Sequence, residues 1–223
     1  MNTLVVNRTS LIGARLAIAT SVVVLLLLAG LHGLSPEFDP AWRMVSEYAN
    51  GKYAGVLSLM FAFWGISSWA LAYTLWPYVQ TTAGKIGLFF LVASGIGEAM
   101  AAIFDINHKL HSLSAMIGIP SLSIAAMLIS LTLVRVEPWS IARNSLLWTA
   151  NLTWVSVLLM AVAFGVMITT FTQSGVDMPT NAEAVMALPE GVIGLVGWAN
   201  RFLIVVYCAW VMTVAWLAIK LGK

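Results

Sequence analysis

The sequence predicts an all-α membrane protein in which six transmembrane helices form one bundle. Of its 223 residues, 61% are hydrophobic and only 9% are charged, which excludes an ordinary soluble globular domain. A helix needs about 20 apolar residues to cross a bilayer, and six stretches are long enough: 14–34, 54–78, 85–104, 112–134, 145–171 and 191–221. Little chain remains for a soluble domain, so residues 1–223 are expected to form a single six-helix domain.

The basic residues predict the orientation of the bundle. One set of ends carries Arg8, Arg15, Lys85, Arg135, Arg143, Lys220 and Lys223. The alternate loops are mainly acidic, and the positive-inside rule therefore places both termini in the cytoplasm. The expected location is the inner (plasma) membrane, with membrane lipids as the immediate partners. The net charge is +2 and the basic residues form no patch, so no nucleic-acid partner is expected.

The first span resembles a signal peptide in its order of arginines, apolar run and small residues. Its apolar run is too long for a signal peptide, and Leu31-His32-Gly33 is a poor cleavage site. We expect this segment to remain as the first transmembrane helix.

The first loop is expected to contain a short amphipathic helix over the mouth of the bundle. Asp39-Pro40 is a good start signal and Asn50-Gly51 a good stop. Between them, apolar and polar residues separate onto two faces at helical spacing. The alternative is an interfacial helix whose polar face meets only water.

Later segments add three local expectations. Glu98 and Asp105 are seven residues apart, which places them on one helix face about 10 Å apart along the axis. Pro120 lies within the fourth span and predicts a kink. In the last loop, Thr180 and Glu183 form a capping box, which predicts a short helix to about Leu188.

Ionisable residues cluster at the predicted outer face. Placing a charged side chain near lipid is energetically costly, so such a cluster indicates a functional site. Histidine and carboxylate form ligand sets for zinc or non-haem metals, and the candidate metal ligands are His32, His108, His111 and Asp105. The alternatives are histidines that cap helix ends without a metal, or metal-free acid–base chemistry. The candidate catalytic residues are Glu98, Asp105 and His111; a serine such as Ser46 or Ser112 would need a base within reach.

Arg201 lies well inside the last apolar stretch, where an unpaired arginine costs about 3 kcal/mol on insertion scales. We expect it to face the bundle and pair with Glu98 or Asp105, either as a structural pair or as a group that binds an anionic head group. Arg201, Ser46, Glu47 and Tyr48 are the candidate ligand-binding residues.

Several runs of this sequence resemble a known family: residues 32–40, Ser46-Glu47-Tyr48-Ala49-Asn50-Gly51, Asp105, His111-Ser112-Leu113-Ser114-Ala115, Gly197 and Arg201. They are similar to the bacterial and archaeal membrane proteins grouped as domain-of-unknown-function family 998. The resemblance covers roughly residues 12–220 and implies six helices. It extends distantly to membrane hydrolases of the alkaline ceramidase and adiponectin-receptor type, which use Ser, Asp and His around zinc. This chain has no His-x-x-x-His in its final helix.

These observations favour a protein with an outward-facing polar pocket that binds or modifies a lipid or another amphipathic molecule. Hydrolysis or group transfer is favoured over redox chemistry, because no haem, flavin or quinone motif is present. Zinc is the one cofactor that the residues suggest. The alternatives are a non-catalytic subunit or assembly factor with a membrane-protein partner, and a small transporter.

Overall fold

The structure is a computed structural model that describes residues 8–176 and 187–221. The regular secondary structure of these residues is all helical. Six of the helices are long and apolar enough to cross a membrane. They are α1 (Arg8–Leu34), α2 (Ala54–Leu75), α3 (Thr82–Ile103), α4 (His111–Leu133), α5 (Arg143–Gln173) and α6 (Val196–Leu221). The predicted all-α, six-span fold class is confirmed.

The helix boundaries differ from the predicted ones where local chemistry sets the end. Helix α3 begins at Thr82 instead of residue 85 because the Thr81 hydroxyl accepts a hydrogen bond from Gly84 N at 3.1 Å, a standard N-cap. Helix α6 begins at Val196 instead of residue 191. Gly191 precedes it with a φ of +84°, a left-handed conformation that glycine adopts readily and that breaks a helix.

The first loop differs from the predicted amphipathic helix. The Asp39 carboxylate accepts from Ala41 N at 2.9 Å and forms a turn, and only Val45–Asn50 is helical, as a 3₁₀ helix. Met44 is extended, and the Glu47 carboxylate caps the short helix by accepting from Met44 N at 2.7 Å. The predicted helix was wrong because carboxylate side chains bond the local backbone and stop a regular helix from beginning at Pro40.

The predicted capping box of Thr180 and Glu183 lies outside the described residues. Pro120 lies within α4, which runs as one helix from His111 to Leu133.

The six helices form a ring in chain order, with α1 closing against α6 and α2 touching α6 across the centre. Helix α3 packs along both α2 and α4. Helix α5 is the least buried of the six spans. We call the set of ends that holds Leu34, Ala54, His111 and Val196 the first-loop end of the bundle.

Glycines allow α2, α3 and α4 to cross closely. A Cβ atom at Gly65 would lie 2.9 Å from the carbonyl oxygen of Gly95, and one at Gly97 would lie 2.5 Å from Gly118 N and 2.7 Å from Ser114 O. These are backbone atoms that cannot move aside like a side-chain end. Small residues at such crossings let membrane helices pack by backbone contact, and here they place Glu98 of α3 against both neighbours.

We therefore expect Gly97→Ala to lower the free energy of unfolding by about 1–3 kcal/mol, because an added methyl group overpacks the α3–α4 crossing. Gly165→Ala is the matched control, since nothing lies within 4 Å of a Cβ at this helical glycine. Thermal unfolding of purified protein in detergent measures both. Equal midpoints for the two variants would contradict the proposed close crossing.

Candidate functional site

A cavity of about 480 Å³ lies inside the first-loop half of the bundle. Five helices, α2 to α6, form its walls, and residues 44–46 of the first loop cover it. Its lining residues are Met44, Val45, Ser46, Phe61, Trp64, Gly97, Glu98, Ala101, Ile106, His111, Ser112, Ser114, Ala115, Gly118, Ile119, Met160, Ala161, Phe164, Val196, Asn200, Leu203, Ile204 and Tyr207. We call it the bundle cavity. Its volume falls in the range of about 300–1,000 Å³ that small-molecule sites occupy.

The bundle cavity reaches about one leaflet deep. Its α6 wall runs from Val196, the first residue of that helix, to Tyr207, and eleven residues of α-helix rise about 16 Å. The hydrocarbon core of a bilayer is about 30 Å thick, so this depth approaches its midplane.

Among the described residues that line the bundle cavity, Glu98 is the one carboxyl group. It is 6% exposed, and two serine hydroxyl groups donate to it: Ser68 Oγ of the neighbouring helix α2 to Oε2 at 2.8 Å, and Ser94 Oγ, one turn earlier on α3, to Oε1 at 2.9 Å. Ser94 Oγ also lies 3.2 Å from the carbonyl oxygen of Gly118 on α4. The glycine-mediated crossing of α2, α3 and α4 therefore fixes the position of Glu98.

His111 and Asn200 supply polar atoms nearer the mouth of the cavity. His111 Nδ1 lies 2.9 Å from the carbonyl oxygen of Phe104, which assigns the donor to Nδ1 and leaves Nε2 of the neutral ring as an acceptor. Asn200 Oδ1 accepts from Val45 N at 2.9 Å, whereas its Nδ2 meets only the weakly accepting Sδ of Met160 at 3.6 Å. One acceptor and one donor therefore remain for a bound molecule.

Tyr207 closes the deep end of the cavity. Its hydroxyl donates to the carbonyl oxygen of Ile119 at 2.7 Å and lies 2.7 Å from Ser123 Oγ, which ties α6 to α4. Its ring meets that of Trp64 edge to face at 6.1 Å, and Phe61 stacks on Trp64 at 6.2 Å. The deep end is therefore lined by aromatic side chains that contact one another.

Arg201 lies beside the bundle cavity in a second buried cluster, which we call the arginine network: His32, Arg43, Glu47, Tyr48 and Arg201. Arg201 is 4% exposed. Its Nε donates to His32 Nε2 at 2.7 Å, and Nη2 donates to the Tyr48 hydroxyl at 2.9 Å. Its Nη1 donates to the carbonyl oxygens of Arg43 at 2.7 Å and Gly197 at 3.0 Å. Four of its five N–H groups are thereby used.

The arginine network attaches the first loop to α6. Arg43 and Glu47 form an ion pair at 2.6 Å, and both are nearly buried. The carbonyl oxygen of Ala41 accepts from Gly197 N at 2.9 Å and Trp198 N at 3.3 Å. A Cβ atom at Gly197 would lie 2.7 Å from Arg43 O, so only glycine allows the loop to lie this close to α6.

The predicted pairing of Arg201 with Glu98 or Asp105 is wrong. Arg201 binds four neutral acceptors, Glu98 binds serine hydroxyls on the far side of the cavity, and Asp105 is exposed and accepts from Asn107 N at 3.0 Å. The difference arises because α6 packs against α1 and the first loop, which direct other acceptors at the guanidinium. Arg201 is also absent from the lining of the cavity.

The predicted metal ligands do not come together. No group of three or more His, Cys, Asp or Glu side chains suited to a metal occurs within residues 8–176 and 187–221. His32 Nδ1 lies 2.7 Å from Leu28 O and its other nitrogen accepts from Arg201, while His108 Nδ1 accepts from Leu110 N at 3.1 Å. Each ring nitrogen named here is used locally, so His32, His108, His111 and Asp105 are not a preformed zinc site.

The remaining candidates divide between the two clusters. Glu98, His111, Ser46 and Ser112 line the bundle cavity, whereas Glu47 and Tyr48 belong to the arginine network. The candidates from the sequence analysis therefore do not share one pocket: His32 and Glu47 lie in the arginine network, His111 lines the bundle cavity and Asp105 is exposed.

Three contributors to these clusters, Ser68, Ser94 and Asn200, were not predicted from the sequence. Asn200 precedes Arg201 in an apolar helix and gave a recognisable signal, since polar side chains inside spans usually have a partner. The serines gave none, because single serines are common at ordinary membrane helix contacts.

We expect Arg201→Met to reduce the free energy of unfolding by about 2–4 kcal/mol, because it leaves several buried acceptors without donors. Adding Glu98→Gln should give no recovery, since the two residues do not pair. Arg15→Met, at an exposed arginine of α1, is the control and should stay within about 0.5 kcal/mol of wild type. Chemical or thermal unfolding measures the stability of the three purified variants. If adding Glu98→Gln recovers stability lost in Arg201→Met, Arg201 and Glu98 do pair.

Comparison with protein-family models gives a match over most of this chain. No curated protein sequence and no solved structure matches the chain. The family model described as protein of unknown function (DUF998) matches residues 16–217. This range includes all the residues of both clusters and confirms the resemblance seen in the sequence. The chain therefore belongs to the DUF998 family of multi-span membrane proteins.

Proposed function

We propose that this protein binds an amphipathic molecule in the bundle cavity. The observation that carries the proposal is that lining residues of both α4 and α5 are exposed: Ser112 of α4 and Ala161 and Phe164 of α5. We infer that the cavity is accessible from the membrane between these two helices.

The loose packing of α5 supports this entry route. Helices α4 and α5 are tied near the middle of the bundle, where Ser123 Oγ approaches Thr153 O at 3.5 Å. Beyond that point toward the first-loop end, Ile119 and Met160 face the cavity from opposite sides. A lipid-like molecule could therefore pass from the membrane into the cavity without crossing an aqueous phase.

The chemistry of the lining suits an amphipathic occupant. Most lining residues are apolar, and the polar atoms of Glu98, His111 and Asn200 are few and separately placed. Ligand sites typically combine apolar walls with a small number of polar groups that orient the ligand.

The side of the membrane follows from charge. The positive-inside expectation places the first-loop end outside the cytoplasm, so the bound molecule would come from the outer leaflet of the plasma membrane.

Binding is better supported than covalent catalysis. Glu98 and His111 both face the cavity and stay candidates for acid–base roles. Among the described residues, however, no serine hydroxyl is hydrogen-bonded to His111; Ser114 Oγ instead donates to Leu110 O at 3.0 Å. A serine nucleophile requires a base within hydrogen-bond reach.

Filling the cavity tests the proposal. Ala115 lines the cavity from α4, and its neighbour Met116 is 72% exposed on the outer surface of the same helix. We expect Ala115→Phe to weaken binding of an uncharged, dansyl-labelled single-chain alkyl probe at least about tenfold, equivalent to about 1.4 kcal/mol. Met116→Phe should leave the affinity within about twofold. Fluorescence titration of purified protein in detergent provides the affinities.

A second variant tests the same cavity from the α5 side. Ala161→Phe should reproduce the effect of Ala115→Phe, because both side chains enter the same space. If neither variant weakens the probe, or if wild type shows no saturable binding, the cavity is not a ligand site. The non-catalytic subunit or assembly factor would then be the better explanation of the buried polar clusters.

A further inference from the structure

We propose that the ligand of the bundle cavity is an amphiphile with a protonated amine, and that its ammonium group pairs with Glu98. The inference rests on the proposed binding function and assigns the chemical class of the ligand.

The first step is the charge of the lining. Glu98 is acidic, and no lysine or arginine within residues 8–176 and 187–221 lines the cavity. The two arginines nearest in sequence to the lining residues bind other groups. Arg201 donates to four neutral acceptors, and Arg43 pairs with the Glu47 carboxylate at 2.6 Å. An anionic head group would therefore meet a carboxyl group and find no cation.

The second step is the bonding capacity of Glu98. A carboxylate offers about four acceptor positions, and two are used by Ser68 and Ser94. A buried charge is normally paired with an opposite charge, yet the one ion pair among the described residues is that of Arg43 and Glu47. A ligand ammonium, with its three N–H donors, would supply the counter-charge and fill the remaining positions.

The third step is the aromatic wall around the same end of the cavity. Trp64, Phe61 and Tyr207 line it together with Glu98, and Trp64 contacts both other rings. Cations are attracted to aromatic faces, by about 0.5–2 kcal/mol depending on desolvation. Carboxylate and aromatic rings together are the surroundings that an organic cation favours.

The fourth step is depth, which requires an amphiphile and not a small soluble amine. Glu98 lies six residues before Phe104, the residue that bonds His111 near the mouth, and this spacing corresponds to about 9 Å along the helix. Between the two levels the walls are mostly apolar, as with Ala101 of α3 and Ala115 of α4. The ligand therefore carries apolar surface next to its amine.

The test is competition against the uncharged dansyl probe at pH 7 by dodecylamine, dodecanol and dodecanoate, which share one chain length. For wild type we expect dodecylamine to displace the probe at a concentration at least about tenfold below that of dodecanoate, with dodecanol between them. In Glu98→Gln, the advantage of dodecylamine over dodecanol should shrink to about twofold or less. Glu98→Asp, which keeps the charge, should retain a preference for the amine over dodecanoate.

Binding of the uncharged probe by Glu98→Gln shows whether that variant keeps its cavity. If the variant does not bind the probe, the competition series in wild type and in Glu98→Asp decides whether the cavity prefers the amine. Equal competition by dodecanoate and dodecylamine, or an amine preference that survives Glu98→Gln, would overturn the proposed amine recognition. Both results leave the binding function intact, provided that Ala115→Phe still blocks the probe. Loss of all saturable probe binding in wild type would instead overturn the binding function itself.

Discussion

The buried guanidinium of Arg201 makes four hydrogen bonds, and the cover of the cavity depends on the two that hold the first loop on the bundle. One bond joins α6 to the end of α1 at His32, two join it to the loop at Arg43 O and the Tyr48 hydroxyl, and one lies within α6 at Gly197 O. The planar guanidinium makes these directed bonds in a way that a lysine cannot. With the loop held there, Met44, Val45 and Ser46 cover the cavity. A charge inside an apolar helix thus has a structural role without an acidic partner.

Helix packing supplies the second requirement, a cavity with one tightly packed side and one loosely packed side. Glycine contacts draw α2, α3 and α4 together and place Glu98 between two serines. On the opposite side, α5 is the least buried of the six spans and lines the cavity with exposed side chains. The tight half sets the position of Glu98, and under the proposed function the loose half would give access from the membrane.

The six spans and the first-loop location of the site were predictable, because span length and the cost of intramembrane charge can be read directly from composition. The partners of the charged residues were not. Glu98 and Arg201 lie within helices, as predicted, whereas Asp105 lies beyond the end of α3 at Ile103 and does not share a helix face with Glu98. Pairing also depends on how each helix rotates and which neighbour it meets. The ring order puts α1 against α6 and α2 against α3, so His32 reaches Arg201 and Ser68 reaches Glu98. The 3₁₀ helix depended on contacts of Glu47 that the periodicity of the loop did not reveal.

If Arg201 fastens the first loop over the bundle cavity, weakening its bonds should loosen the loop, and hydrogen–deuterium exchange of the Arg201→Lys variant measures this. This variant keeps the charge but not the four directed bonds. We expect faster exchange of backbone amides in residues 41–51, which include Glu47 N and Gly51 N bonded within the loop, with unchanged protection in residues 88–95 of α3. Unchanged exchange in the loop would show that Arg201 does not hold it, and an equal loss of protection throughout the bundle would show a general destabilisation instead.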